Sequence, residues 1–170
     1  MTPAPRILVV MGVSGSGKTT IGVDLAQRLS WPFLEGDDLH PPANVAKMHA
    51  GTPLTDEDRW PWLDAIKAWI DARLAEGGHG VIACSALRRI YRERLGVGRN
   101  SVALVFLHAE RALLVDRLAR RKGHFMPQAL LDSQIATLEP PAPEEHPITV
   151  EIGGTADAVV ADILEHLSAA

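Results

Sequence analysis

Cysteine occurs once in the 170 residues, at Cys84, so no disulfide can close within the chain and a reducing compartment is expected. Positive charge is not in excess: 17 Lys and Arg stand against 21 Asp and Glu, a formal net charge of −4. That balance gives no support to nucleic acid as the main partner. No apolar run approaches the roughly 20 residues of a membrane span, and the first residues lack the basic and long apolar segments of a secretory signal. The chain is therefore expected to be cytoplasmic and to have no membrane partner. The 7 histidines are scattered singly, and none shows the i, i+4 spacing of a helical zinc site. Repeats and low-complexity segments are also missing. What remains is an ordinary composition, 46% hydrophobic and 22% charged, which argues against extensive disorder and, at this length, for one domain over residues 1–170.

The stretch that organises this domain is Gly12-Val13-Ser14-Gly15-Ser16-Gly17-Lys18-Thr19. It follows the apolar, largely β-branched run Ile7 to Met11 and precedes a helical pattern beginning at Thr20, with Ile21, Leu25 and Leu29 on one face. Glycines at these positions let backbone N–H groups curl around a polyphosphate, a lysine reaches the β and γ phosphates, and a Thr hydroxyl can ligate Mg²⁺. The helix that follows points its positive end at the same anion. A glycine-rich turn alone could match by chance, but the strand before and helix after make this a phosphate loop. ATP or GTP with Mg²⁺ is therefore expected at Gly12, Ser14, Gly15, Ser16, Gly17, Lys18, Thr19 and Thr20, with Thr19 on the metal.

Strand and helix patterns alternate along the rest of the chain. Strands are expected at residues 31–35, 81–84, 102–107 and 148–152, a short helix followed by a loop within 44–55, and helices from Asp56 as a cap to Leu74, at 86–95, at 109–122, at 127–138 and at 156–167. The alternation predicts an α/β domain with a parallel sheet and right-handed crossovers. Trp62 and Trp69 read as core or dimer contacts. Arg88, Arg89, Arg92 and Arg94 read as the solvated face of a basic helix, with only the first two near a strand end.

Asp37 stands at the carboxyl end of the second strand, where ligand sites of parallel sheets lie. Beside a phosphate loop it is the natural acceptor of a hydroxyl proton, although an Asp-Asp pair elsewhere would read as a turn or a cap. Arg117, Arg120, Arg121 and Lys122, next to Gly123, fit a lid over residues 117–127 that closes cations over phosphate; the plainer reading is a basic helix end favoured by the macrodipole. The third strand ends in Cys84-Ser85 and supplies no Asp for Mg²⁺, which leaves a water-mediated contact from Glu35 or Asp37.

Taken together, Glu35-Gly36-Asp37 to His40-Pro41, Asn44, Lys47-Met48, Asp58-Arg59, Pro61-Trp62-Leu63, Cys84-Ser85-Ala86-Leu87, Arg89, Tyr91, Arg92, Lys122 to Phe125 and Ser133-Gln134 resemble the gluconokinase signature over nearly the whole chain. The resemblance implies ATP-dependent phosphorylation of D-gluconate to 6-phosphogluconate. It also implies a nucleoside-monophosphate-kinase type of P-loop fold, with a five-stranded parallel sheet in order 2-3-1-4-5, and a homodimer. Carried over residue by residue, it puts Asp37 at the acceptor hydroxyl and Arg59, with Lys47 or Arg88, near the substrate carboxylate. Arg117 and Arg121 come to the nucleotide, Arg121 over its phosphates or adenine, and His40, Ser85, His124 and Gln134 to the substrate cavity. Lys18, Asp37 and Arg121 are then the candidate catalytic groups. A sugar acid fits this set, since a carboxylate matches an arginine and hydroxyls match Asp, His and Gln. The rival enzyme is another small P-loop kinase such as a shikimate kinase, and the rival from another class is a nucleotide-binding regulatory module without turnover.

Overall fold

The computed structural model describes residues 4–120 and 128–169. Its frame follows from one apolar run. Ile7–Met11 forms β1 with all five residues buried, and it pairs in parallel with β3 (Gly80–Ala83) on one side and β4 (Val102–His108) on the other. β2 (Phe33–Glu35) extends the sheet beyond β3, and β5 (Ile148–Glu151) beyond β4. The order is thus β2-β3-β1-β4-β5, the one the family resemblance implies.

Side chains alternate across a strand, so β1 feeds two cores. Ile7, Val9 and Met11 pack with Trp62, Leu63, Ile66 and Ile70 of α3 (Asp56–Ala75) and Tyr91 and Leu95 of α4 (Arg89–Leu95). Leu8 and Val10 face the other way, into Ile21 and Leu25 of α1 (Lys18–Leu29) and Val159, Val160 and Ile163 of α7 (Ala156–Ala169). Each such buried side chain contributes about 1.5–3 kcal/mol. A third cluster joins Val13 and Leu87 to Leu114 of α5 (Arg111–Arg120) and Leu131 of α6 (Gln128–Thr137). It ties the phosphate loop to helices that follow β4. A short α2 (Pro42–His49) completes the set.

Several element ends differ from the sequence expectation. α1 begins at Lys18 rather than Thr20, capped by Gly17 in the left-handed region. Thr55, not Asp56, caps α3: its hydroxyl accepts from the Asp58 N–H while the Asp58 carboxylate accepts from the Thr55 N–H. The helix expected from Ala86 starts only at Arg89, because Ala86 takes φ +45 and carries the chain out of β3 as a loop. Arg92 is not on a solvated face. It is 1% exposed and bonded to Glu145 at 2.6 Å. The expected lid over 117–127 keeps only residues 117–120, the last turn of α5, inside the described structure.

Candidate functional site

Three strands deliver their carboxyl ends to one place. β1 runs into the phosphate loop, where Gly15 (φ +86) and Gly17 (φ +90) take conformations that L side chains resist. α1 then starts with Lys18 in its first turn, no acidic residue there and no side-chain cap. A helix N-terminus without acid or cap keeps its N–H groups and positive end for an anion from outside the helix. This local chemistry fits a polyphosphate. The Thr19 hydroxyl donates to the Glu35 carboxylate at the end of β2. Two hard oxygens side by side at the loop are the kind of donors Mg²⁺ takes, and no group of three or more His, Cys, Asp or Glu that could hold a metal occurs among the described residues.

β2 leads directly into a 3₁₀ turn, Gly36–Leu39, that carries Asp37. Gly36 is required there: a Cβ would stand 2.5 Å from the Ala83 carbonyl of β3. The turn can therefore press against the sheet and hold Asp37 at the mouth of a cavity. This cavity, about 80 Å³, is lined by Ser14, Lys18, Asp37, His40, Arg59, Ser85 and Gln134, with Trp62, Leu87 and Leu130 among its apolar walls. The Ser14 N–H donates to the Gln134 side-chain carbonyl at 2.8 Å, which links the phosphate loop to α6 across 120 residues of sequence.

On the other side of the loop lies a second cavity of about 260 Å³. Gly15, Ser16, Gly17, Thr20, Arg117, Ile152, Gly154 and Ala156 line it. Arg117 is anchored by donating to the Ile152 carbonyl at 2.8 Å. The phosphate loop is thus a ridge between two cavities, with Lys18 and Ser14 facing one and the loop glycines facing the other.

The three cations named as carboxylate readers separate in space. Lys47 bonds Asp58 at 2.7 Å, and with the Thr55 N–H it holds the Asp58 carboxyl down to about 2. Arg88 bonds Asp56 at 2.6 Å. Neither lines the cavity that holds Asp37. Arg59 does, and it is held in place: its Nη1 donates to the Tyr91 hydroxyl at 2.8 Å and lies 4.0 Å from Asp56. The Tyr91 hydroxyl in turn donates to Asp56. That bond, with Arg88, keeps the Asp56 carboxyl below its usual range, while burial and the neighbouring Asp56 push the Tyr91 phenol up.

Arg121 and His124 lie outside the described residues. Gly12, Ser14, Gly15, Ser16, Gly17, Lys18, Thr19, Thr20 and Arg117 surround the loop, and Asp37, His40, Arg59, Ser85 and Gln134 share the cavity. Sequence reasoning gave Trp62 to the core or a dimer contact and assigned no site role to Asn44, Tyr91 or Leu130. Trp62 is both core and cavity wall, its ring stacked 4.1 Å from that of His40. The signal for Asn44 was its place in the family signature; its amide nitrogen lies 3.2 Å from the His40 ring.

A family model described as AAA domain matches residues 7–141. The gluconokinase of Gluconobacter oxydans (strain 621H) is 50% identical over 165 residues, 97% of this chain and 93% of that protein. The crystal structure of a gluconokinase from Sinorhizobium meliloti 1021 superposes with a TM-score of 0.87 at 45% identity, covering 97% of this chain and 93% of that one. A shikimate kinase from Acinetobacter baumannii, solved in complex with shikimate, reaches a TM-score of 0.62 at 21% identity over 99% of this chain and 95% of that one, a likeness of fold alone.

Proposed function

Since the chain belongs to the gluconokinase family of P-loop kinases, we propose that it transfers the γ-phosphoryl group of ATP to a hydroxyl of D-gluconate, giving 6-phospho-D-gluconate. The observation that carries this reading is the phosphate loop set between two cavities, one of which joins Asp37 to Arg59. Arg59 is the cation matched to a carboxylate, and Asp37 the base matched to a hydroxyl. The larger cavity takes the nucleoside of ATP, with Arg117 on its wall; the family resemblance assigns Arg121 to the nucleotide and His124 to the sugar acid, and both lie outside the described residues.

In this reading Lys18 and the loop N–H groups stabilise the charge of the transferring group, and Asp37 accepts the proton of the sugar-acid hydroxyl. His40, Ser85 and Gln134 hold the other hydroxyls. Mg²⁺, held by Thr19 with Glu35 beside it, supplies charge neutralisation at the phosphates when bound. The family resemblance also supports a homodimer in the cytoplasm, and no helix among the described residues is long and apolar enough to cross a membrane.

A coupled ADP-release assay over gluconate, other aldonates, shikimate, glucose and nucleoside monophosphates tests the assignment. Gluconate is expected to give by far the highest kcat/KM. Asp37→Asn keeps the shape but removes the base, so kcat is expected to fall by about 10²-fold or more with nucleotide affinity little changed. A collapse of ATP binding in that variant would make Asp37 a metal or structural residue. Absence of ADP release with every sugar acid would favour a regulatory nucleotide-binding module.

A further inference from the structure

His40 follows the Asp37 turn directly, and its side chain is 4% exposed. The ring lies flat on Trp62 and borders the cavity with Asp37 and Arg59. Its Nε2 is 4.0 Å from the Asp37 carboxylate. On the other edge, Nδ1 lies 3.2 Å from the Asn44 amide nitrogen. That nitrogen also bonds the backbone carbonyl of Asp58 at 2.8 Å, and Asn44 is 3% exposed.

This geometry decides where the imidazole proton sits. A backbone carbonyl can only accept, so the Asn44 atom facing Asp58 must be the amide nitrogen; the rotated amide would set two acceptors against each other. One amide hydrogen goes to the carbonyl and the second to Nδ1, which must therefore present its lone pair. An imidazole that accepts at Nδ1 carries its hydrogen on Nε2. Building on the sugar-acid reading of the cavity, we propose that Asn44 is a positioning residue that locks His40 as the neutral Nε2–H tautomer, so that the ring offers the cavity a hydrogen-bond donor and no lone pair.

The surroundings agree. Burial lowers the affinity of the ring for a second proton, Asp37 on its own turn opposes this, and Arg59 from α3 reinforces it, with a net shift downward. The Asp58 carboxylate is turned to Lys47 and the Thr55 N–H and offers the Asn44 amide only its carbonyl. Two consequences follow for the chemistry. His40 cannot compete with Asp37 for the hydroxyl proton, because the lone pair that could take it is spent on Asn44. The Nε2–H is left to donate to an oxygen of a polyol chain, so the position recognises a hydroxyl and disfavours a group that can only donate.

The direct test is long-range ¹H–¹⁵N correlation spectroscopy of ¹⁵N-histidine-labelled protein between about pH 6 and 8, the range in which an unperturbed histidine titrates. His40 is assigned by the signals lost in His40→Gln. Nδ1 is expected as the unprotonated nitrogen and Nε2 as the protonated one across the range. A dominant Nδ1–H form, or an imidazolium at neutral pH, would overturn the proposal. Asn44→Asp places a carboxylate against Nδ1, where it should draw the hydrogen and make the ring basic. Its kcat/KM for gluconate is expected to fall roughly 10- to 100-fold through KM, as when a buried donor loses its partner, with KM for ATP unchanged and a new histidine limb in the pH profile. An Asn44→Asp protein with wild-type tautomer and wild-type pH profile would also overturn it. If that variant does not fold, the wild-type spectrum decides alone. The spectrum is taken on free protein, so inactivity toward gluconate would count against the assigned substrate and leave the tautomer result standing.

Discussion

Arg92 is buried where a helix surface was expected, and the reason is visible in its partners. It donates to the carbonyls of Ala86, Leu87 and Glu139 and pairs with Glu145, so one guanidinium fastens the loop after β3 to the segment after α6. Removing it strands a buried carboxylate. Arg92→Ala is expected to lose about 3–5 kcal/mol in denaturant unfolding, whereas replacing both partners by uncharged residues of similar size should cost less. Burial alone would raise the Glu145 carboxyl, but Arg92 and the Ala142 N–H outweigh it and hold it below the ordinary 4.5. A carboxyl lowered in the folded state stabilises fully above its unfolded value and ceases to do so as pH falls through its folded one. The acid limb of wild-type stability, starting near 4.5 and running downward, should therefore be shallower in Glu145→Gln. Arg59 carries a second residue-scale test. Glucose would leave this cation without its partner, and a site built on a polar contact rejects an analogue lacking it by about 10⁴-fold. Arg59→Leu should lose most activity on gluconate and narrow the ratio of kcat/KM between gluconate and glucose; an unchanged ratio would mean that Arg59 does not read the carboxylate. Both roles were half-legible in the sequence. The residue types stood out, but which arginine enters a cavity and which enters the core depends on contacts 32 to 53 residues away.

At the scale of elements, the strands were readable because a doubly covered parallel sheet demands unbroken apolar runs, and β1 and β4 are such runs. Their ends were not, since ends are set by single contacts. Periodicity continues through Ala86, yet its left-handed φ stops the helix until Arg89. Asp56 looks like a cap, yet the hydroxyl of Thr55 takes that place. The turn after β2 offers the sharpest test of how an element aims a side chain. Gly36→Ala would force a methyl to 2.5 Å from the Ala83 carbonyl, and backbone cannot swing aside as a side chain can. A stability loss of about 1–3 kcal/mol is expected from overpacking. The catalytic loss should be larger, up to about 10²-fold in kcat, because displacement of Asp37 by a fraction of an ångström spoils the approach to the hydroxyl. Wild-type kcat in a Gly36→Ala protein would mean that the turn does not aim the base.

Over the whole molecule, the alternation of strands and helices and the phosphate loop were legible because both rest on local signals, the strand order came only through the family resemblance, and the pairing of two cavities across the loop needs the folded chain. One bond spans that divide. Gln134 holds the Ser14 N–H with its carbonyl oxygen and lines the sugar-acid cavity, so a ligand that fixes the amide also fixes the rim of the phosphate loop. The two substrates then become thermodynamically linked. Each is expected to tighten the binding of the other, and by the same factor in either direction, since coupling free energy is reciprocal. Calorimetric titration of a nonhydrolysable ATP analogue with and without gluconate, and of gluconate with and without the analogue, should return one common factor above unity. In Gln134→Ala that factor should collapse toward one, leaving two sites that fill without reference to each other.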